Sequence, residues 1–439
     1  MTKMKARPKA TLLSVLAFSI PAIAASLLEP ITGIIDTQLT GHYNTYDASA
    51  LAMSCNILNS FFWLFNFLFH LSAQKQSQHI DSSPENKIGY AQLALVATLG
   101  ISTLLAIFLY FTGSFFLNLS DTPESIFESA KNYFNWRCLG LPVALLYSTT
   151  LSLLRGKHQL KTILLLIALT SLSNGLLSYG ALFIWNLGLN GVAQASIFSH
   201  LLGLLIVLII LLREFKALSF FKKHWKKQTL QTLSSESIQL FLRAFFLNTV
   251  FFLCMKAVGR IGPIEIAAYQ FLWQILLFFS FFMDGIANTG SILLAPKKDS
   301  FLYKKQVLRS LFQITLILSA AFAFLLFLFD SQILASFTKD PRVLELCKGI
   351  FPFYFVLFVP ILAVTYLNDG ILFGLNKFKE SKNSILIPML LIFLPIFFYQ
   401  IQSKEFIVIW IGIFAFNIAR GFYSSFKIYK FFNAKAPRL

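Results

Sequence analysis

Twelve apolar blocks, each long enough to cross a bilayer, follow one another along this chain and leave room for little else. Their approximate edges are 11–40, 47–73, 88–117, 128–154, 160–186, 190–213, 237–259, 264–295, 306–330, 347–375, 383–402 and 405–430. A helix of about 20 residues crosses the roughly 30 Å hydrocarbon core, so each block reads as one transmembrane helix. Only 13% of residues are charged, against about 25% in a soluble domain. The 50 phenylalanines read as lipid-facing filler.

The formal net charge of +18 would suggest nucleic acid in a soluble chain. Here basic loops such as Lys3–Lys9, Arg155–Lys161, Lys222–Lys227, Lys297–Lys305, Lys377–Lys382 and Lys427–Arg438 alternate with neutral or acidic ones. That is the positive-inside pattern, and it puts both termini in the cytoplasm of an inner, multi-pass membrane protein. The N-terminus imitates a secretory signal up to Ala22–Ser26, yet the apolar run continues past it to Leu39, which favours a span. Cys55, Cys138, Cys254 and Cys347 lie in or beside apolar blocks without metal-ligand spacing and read as packing residues.

The longest polar break, Glu214–Glu236, carries Phe215, Phe220, Phe221 and Trp225 among lysines. It reads as an amphipathic linker (214–236) on the inner membrane surface, between an N-lobe (1–213) and a C-lobe (237–439). A weak internal repeat supports two halves: Gly41 and Gly259 are 218 residues apart, as are Gly156 and Gly374 and also Ala50 and Ala268. Six helices per repeat preserve membrane orientation, so the expected fold is all-α, two six-helix lobes related by an axis along the membrane normal.

Intramembrane polar residues are costly, and their placement carries the functional signal. The first span has Glu29, Gly33, Asp36 and Thr40 on one helical face. The second has Asn56, Asn59, Trp63, Asn66, His70 and Gln74; the fifth has Ser171, Asn174 and Ser178; the eighth has Gln270, Gln274, Asp284, Asn288 and Ser291. Such stripes either converge on a water-accessible cavity or serve interhelical hydrogen bonds. On the cavity reading, Asn59, Asn66, His70, Gln270 and Gln274 line it, joined by Asn174. Asp36 is the sharpest candidate: an intramembrane carboxylate is costly without a partner, so it reads either as a group whose protonation is a coupling step or as a structural Asp paired to a neighbouring helix. Pro21 removes a backbone hydrogen bond and permits a bend in the same helix, with Pro30 a second break. Asp284 and Asp369, each before a glycine, suggest a charged site in the second half, with Arg137, Arg243 and Lys256 as counter-charges. Phosphate-cradling loops, metal-ligand pairs and nucleophile elbows are absent from the sequence, which argues against an enzyme, against ATP-driven transport and against a cofactor.

At these residues the chain resembles the multidrug and toxic compound extrusion (MATE) family, nearest its DinF-like branch. Ile35-Asp36-Thr37 followed by Gly41-His42 resembles the branch's V-D-T-x-x-x-G-H. Arg137 with Gly140 and Pro142 is similar to R-x-x-G-x-P. Asp284-Gly285-Ile286-Ala287 and Asp369-Gly370-Ile371-Leu372-Phe373-Gly374 resemble D-G-x-A and D-G-I-L-x-G. The resemblance implies export of organic, often cationic, compounds driven by H⁺ or Na⁺ through rocking of the two lobes, and we expect a monomer. It assigns cation coupling to Asp36 with Glu29, Asn174 and Ser178 around it. Three positions depart from the pattern: Ser178 stands where many relatives have an acid, Ser291 where they have Glu, and Phe69 where they have Arg. Fewer carboxylates weigh against a Na⁺ site and against a strong preference for cations. A flippase for a lipid-linked precursor, using a basic groove of Arg137, Arg243 and Lys256, is the alternative. A membrane acyltransferase with His70 and His200 is a more distant one.

Overall fold

The computed structural model describes residues 11–28, 30–65, 84–156, 159–214, 227–294, 300–352 and 357–434, and among these it is helical throughout, with no strand. The first span is two helices, α1 (Leu12–Leu28) and α2 (Ile31–Tyr43). Next come α3 (Thr45–Leu64), α4 (Pro84–Leu119), α5 (Glu124–Gly156), α6 (Leu160–Tyr179, extended by a wide turn over Gly180–Ile184) and α7 (Gly188–Glu214). The second half holds α8 (Lys227–Gly259), α9 (Pro263–Leu294), α10 (Phe301–Leu328) and the short α11 (Asp330–Ala335) and α12 (Pro341–Ile350). It ends with α13 (Leu357–Gly374), α14 (Phe378–Pro388), a wide turn over Met389–Phe393, α15 (Leu394–Ser403) and α16 (Phe406–Ala434). Counting α1 with α2 and α14 with α15, and leaving out the short α11 and α12, these make the twelve spans of a two-lobe bundle. Two edges differ from the sequence reading. The seventh helix starts at Lys227, so the second half of the expected linker is already helical. The break in the first span falls at Pro30, which precedes α2, while α1 runs on through Pro21.

Burial separates central from peripheral helices. In α9, 78% of the most apolar window is buried, because α1, α3, α10, α12 and α13 all pack on it. In α4 the figure is 17%, and Leu104, Phe111 and Phe115 stay exposed on it, as lipid-facing residues do. Small residues let the central helices approach closely. A Cβ on Gly370 of α13 would collide with the Ala287 carbonyl of α9, and one on Gly285 of α9 with the Ile23 backbone of α1. Each Asp-Gly pair thus places its glycine at a helix crossing.

The turns α2–α3, α4–α5 and α8–α9, with α11 and α12, gather at the end of the bundle away from the termini, called distal below. There the lobes are joined. Gly41 lies against the Phe337 carbonyl of the opposite lobe, and Gly259 against the Ser120 and Asp121 carbonyls. The two glycines separated by 218 residues therefore make reciprocal contacts, as a two-fold axis along the membrane normal requires. Side chains add to the seal. Gln38 Nε2 donates to Ser336 Oγ at 3.0 Å, Thr45 Oγ1 to Asp340 Oδ2 at 3.2 Å, and Ser49 Oγ to the Pro263 carbonyl at 2.6 Å. Asp340 also caps α12, accepting from the Arg342 amide at 3.0 Å with Pro341 at the first helical position.

Candidate functional site

The stripe on α2 and the stripe on α6 face each other. Asp36 is buried, and its carboxylate accepts from Asn174 Nδ2 at 2.7 Å and Ser178 Oγ at 2.8 Å, both on one oxygen. Ser196 Oγ of α7 reaches the other oxygen at 3.4 Å. One turn back, Thr32 Oγ1 and Ser171 Oγ lie 2.8 Å apart, so spacings of three and four residues zip the two faces together. Ser196 was not singled out in the sequence, although Ser199 and His200 follow it at helical spacing in the same span. Among the described residues no cationic side chain is bonded to the carboxylate. Neutral donors stabilise the ionised form, and serine hydroxyls can rotate to accept once a proton arrives. Asn174 Oδ1 is buried without a partner beside this carboxylate, a spare acceptor for such a proton.

Next to Asp36, Thr37 Oγ1 accepts from Gln270 Nε2 at 3.3 Å and Gln274 Nε2 at 3.2 Å, both from α9 of the other lobe. The two glutamines thus act as a bridge between lobes in this conformation, one residue from the carboxylate. Asn59 is exposed on α3. Glu29, Asn66 and His70 lie outside the described residues.

The expected charged site of the second lobe divides. Asp369 Oδ2 takes Arg243 Nη2 and Arg420 Nη2, each at 2.7 Å. Arg243 Nε donates to Ser381 Oγ at 3.1 Å, and Arg420 Nη1 to Asn417 Oδ1 at 2.8 Å. Arg420, deep in the last helix, was missed, although an arginine inside an apolar span is itself the signal. Asp284 lies in the electrostatic field of Arg420 and Tyr366. Arg137 does not belong to this group. It is on α5 of the first lobe, within the field of Asp36, Tyr133 and Cys55, because α5 packs against α3 and α7. Lys256 is also spoken for, paired with Asp121 at 2.7 Å across the distal end.

Comparison with known proteins agrees with this architecture. The MatE family model matches residues 21–179 and again 240–398, once per lobe and well over half of the chain together. Protein DETOXIFICATION 44, chloroplastic, of Arabidopsis thaliana is 25% identical over 93% of this chain and 80% of that protein. DNA damage-inducible protein F of Escherichia coli (strain K12) is 22% identical over 84% and 81%. A probable multidrug resistance protein NorM of Thermotoga maritima is 24% identical over 95% and 91%. Among solved structures, a multidrug resistance MATE family transporter in an inward-facing conformation superposes with a TM-score of 0.80 at 13% identity, over 95% of this chain and 99% of that one. An outward-facing conformation of such a transporter gives 0.76 at 14% identity, over 98% and 97%. With both halves matched by the same model and the two-lobe bundle in place, the chain belongs to the MatE family.

Proposed function

We propose that this chain is an efflux transporter that exports small organic molecules in exchange for protons, with Asp36 as the proton carrier. The observation that supports this most is the setting of Asp36: a buried carboxylate held, among the described residues, by neutral donors alone, six residues past a proline break in its own helix. Ser178 stands where many relatives have an acid, and a site with fewer carboxylates weighs against Na⁺ and favours a proton. Each unit of pH gradient supplies about 1.4 kcal/mol per proton, and each 100 mV about 2.3 kcal/mol per charge.

On this reading residues 1–213 and 237–439 are lobes that rock about the 214–236 linker. The chain works as a monomer in the inner membrane with both termini in the cytoplasm, so the distal end faces outward. The closed distal end is then the outer gate, and the conformation is the one that loads from the cytoplasm. A flippase would need a free basic groove, and two of its three candidate cations are engaged, Arg243 by Asp369 and Lys256 by Asp121.

The test is ethidium efflux from drug-sensitive cells expressing the native chain or Asp36→Asn, with and without a protonophore. Efflux that disappears with either change is expected. Efflux that survives Asp36→Asn at native expression removes Asp36 from the mechanism.

A further inference from the structure

We propose that a groove between α9, α12 and α16, at the distal end of the second lobe, is a binding site for an aminophospholipid. Glu265 and Glu345 take its ammonium, Arg342 takes its phosphate, and α16 guides an acyl chain. The site goes beyond the transport reading, and none of its residues belongs to the Asp36 cluster.

The groove holds about 530 Å³, within the range of roughly 300–1,000 Å³ usual for small-molecule sites. One face of α12 forms its wall. Arg342, Glu345, Leu346 and Gly349 fall three, four and seven residues apart on that face, while Val343, Cys347 and Ile350 turn inward and are buried. The helix thus packs one face on α9 and presents the other to the groove. Glu265 lies in the first turn of α9, and its Oε2 would be 3.0 Å from a Cβ on Gly262, so the carboxylate folds back over the start of the helix. Phe406 and Ile407, at the start of α16, close the third side.

Charge selects the headgroup. Among the described residues neither Glu265 nor Glu345 has a side-chain hydrogen bond or an ion pair. Arg342 spends Nε and Nη2 on Asp340, at 3.1 and 2.9 Å, which leaves Nη1 open on a side chain that is 64% exposed. Two uncommitted carboxylates therefore face one guanidinium already half neutralised. A primary ammonium brings three donors to the carboxylates, and a phosphate oxygen accepts from Nη1. An anionic headgroup without an ammonium meets an excess of like charge, and a choline has no N–H to donate. The apolar side argues for a lipid over a soluble amine. Ile407 and Ile411, four residues apart on α16, are both exposed, and Phe422 continues that face down the span. Nothing lies within 4 Å of a Cβ built on Gly349, so the groove stays open beside bare backbone, with room for a chain.

The experiment is native mass spectrometry of the purified full-length protein, released from micelles that carry equal amounts of dioleoyl phosphatidylethanolamine, phosphatidylglycerol and phosphatidylcholine. Retention of phosphatidylethanolamine above the other two is expected. Glu265→Gln combined with Glu345→Gln should lower that retention about tenfold or more, as for loss of charged hydrogen-bond partners. Gly349→Leu should lower it as much by filling the groove, and the open space at its Cβ should leave the melting temperature native. Melting temperatures of both variants separate loss of the lipid contact from loss of the fold. Equal retention of phosphatidylglycerol or phosphatidylcholine overturns the proposal, as does native retention in either well-folded variant. Displacement of the lipid by equimolar phosphoethanolamine overturns it too, because the groove would then be a site for a soluble amine.

Discussion

Asp121 of the first lobe and Lys256 of the second meet at 2.7 Å across the distal end, and Arg260 shares the same carboxylate oxygen at 2.7 Å. Lys256 also donates to the Leu119 carbonyl at 2.5 Å, so one flexible side chain ties α8 to the end of α4. The contact lies beside the Gly259 approach to Ser120, where the backbones themselves touch. Any opening of this end must therefore break a charge cluster and a backbone contact together. Partly exposed pairs contribute little each, about 1 kcal/mol for this cluster after solvent screening. We expect Asp121→Asn to raise the labelling rate of a buried distal reporter, Ala48→Cys, by about fivefold with a membrane-impermeant maleimide. An unchanged rate would show that the backbone contact alone holds this end shut.

The same cluster makes a statement about pH. Partial burial penalises the Asp121 carboxylate, but the Lys256 and Arg260 hydrogen bonds outweigh that and hold it below its ordinary value of 3.8. A group whose pKa is depressed in the joined state contributes fully above its ordinary pKa and is lost only as pH falls through the lower one. Between roughly pH 7.5 and pH 5 the latch should stay intact. In an Asp36→Asn background, Ala48→Cys should label at the same rate at both pH values. Faster labelling in acid would mean that another distal group titrates and opens the gate.

Around Asp36 the donors are unequal, and the variants should rank accordingly. Ser178→Ala and Asn174→Ala each remove a short hydrogen bond to a buried carboxylate, worth about 1.5–3 kcal/mol in such settings. Protonophore-sensitive efflux should drop about tenfold or more in each. Ser196→Ala removes a 3.4 Å contact and should cost much less. Equal effects from all three would contradict the geometry.

How much of this was legible depended on whether the property is carried by one helix or by two. Spans and the polar faces of α2 and α6 belong to single helices, and periodicity reveals them, while the 218-residue repeat shows in the sequence alone. The stripes put Asp36, Asn174 and Ser178 on polar helix faces, and the resemblance to the MATE family grouped them. Which charge meets which depends on how helices rotate and slide against each other, and spacing says nothing about that. Arg137 was grouped with Asp369 for this reason, whereas α5 carries it to Asp36 and α16 supplies Arg420 instead. The glutamines Gln270 and Gln274 were assigned to a cavity wall by their stripe, but the stripe could not reveal Thr37 as their partner across the lobes.

Asp369 holds two guanidiniums, and removing it should be a folding lesion before it is a transport lesion. Asp369→Ala removes the carboxylate that Arg243 and the buried Arg420 share, a loss of about 3–5 kcal/mol for a broken buried pair. Melting temperature should fall sharply, while the protein that does fold keeps protonophore-sensitive efflux. A native melting temperature with uncoupled efflux would instead give Asp369 a place in proton transfer.

The crossing of α13 over α9 offers the cleanest steric test. A methyl group at Gly370 would run into the Ala287 carbonyl, and backbone cannot swing away as a side chain can. Gly370→Ala should therefore cost about 1–3 kcal/mol through overpacking, or more if the helices are forced apart. Gly100 on α4 is the control, because nothing lies within 4 Å of a Cβ built there. Inside a helix that faces lipid, Gly100→Ala should be neutral or stabilising by up to about 1 kcal/mol. Thermal melting of the two purified variants beside the native chain decides the matter. Equal melting temperatures would mean that α13 and α9 are not in backbone contact at Gly370. The Asp-Gly sequence there would then need an explanation other than close packing.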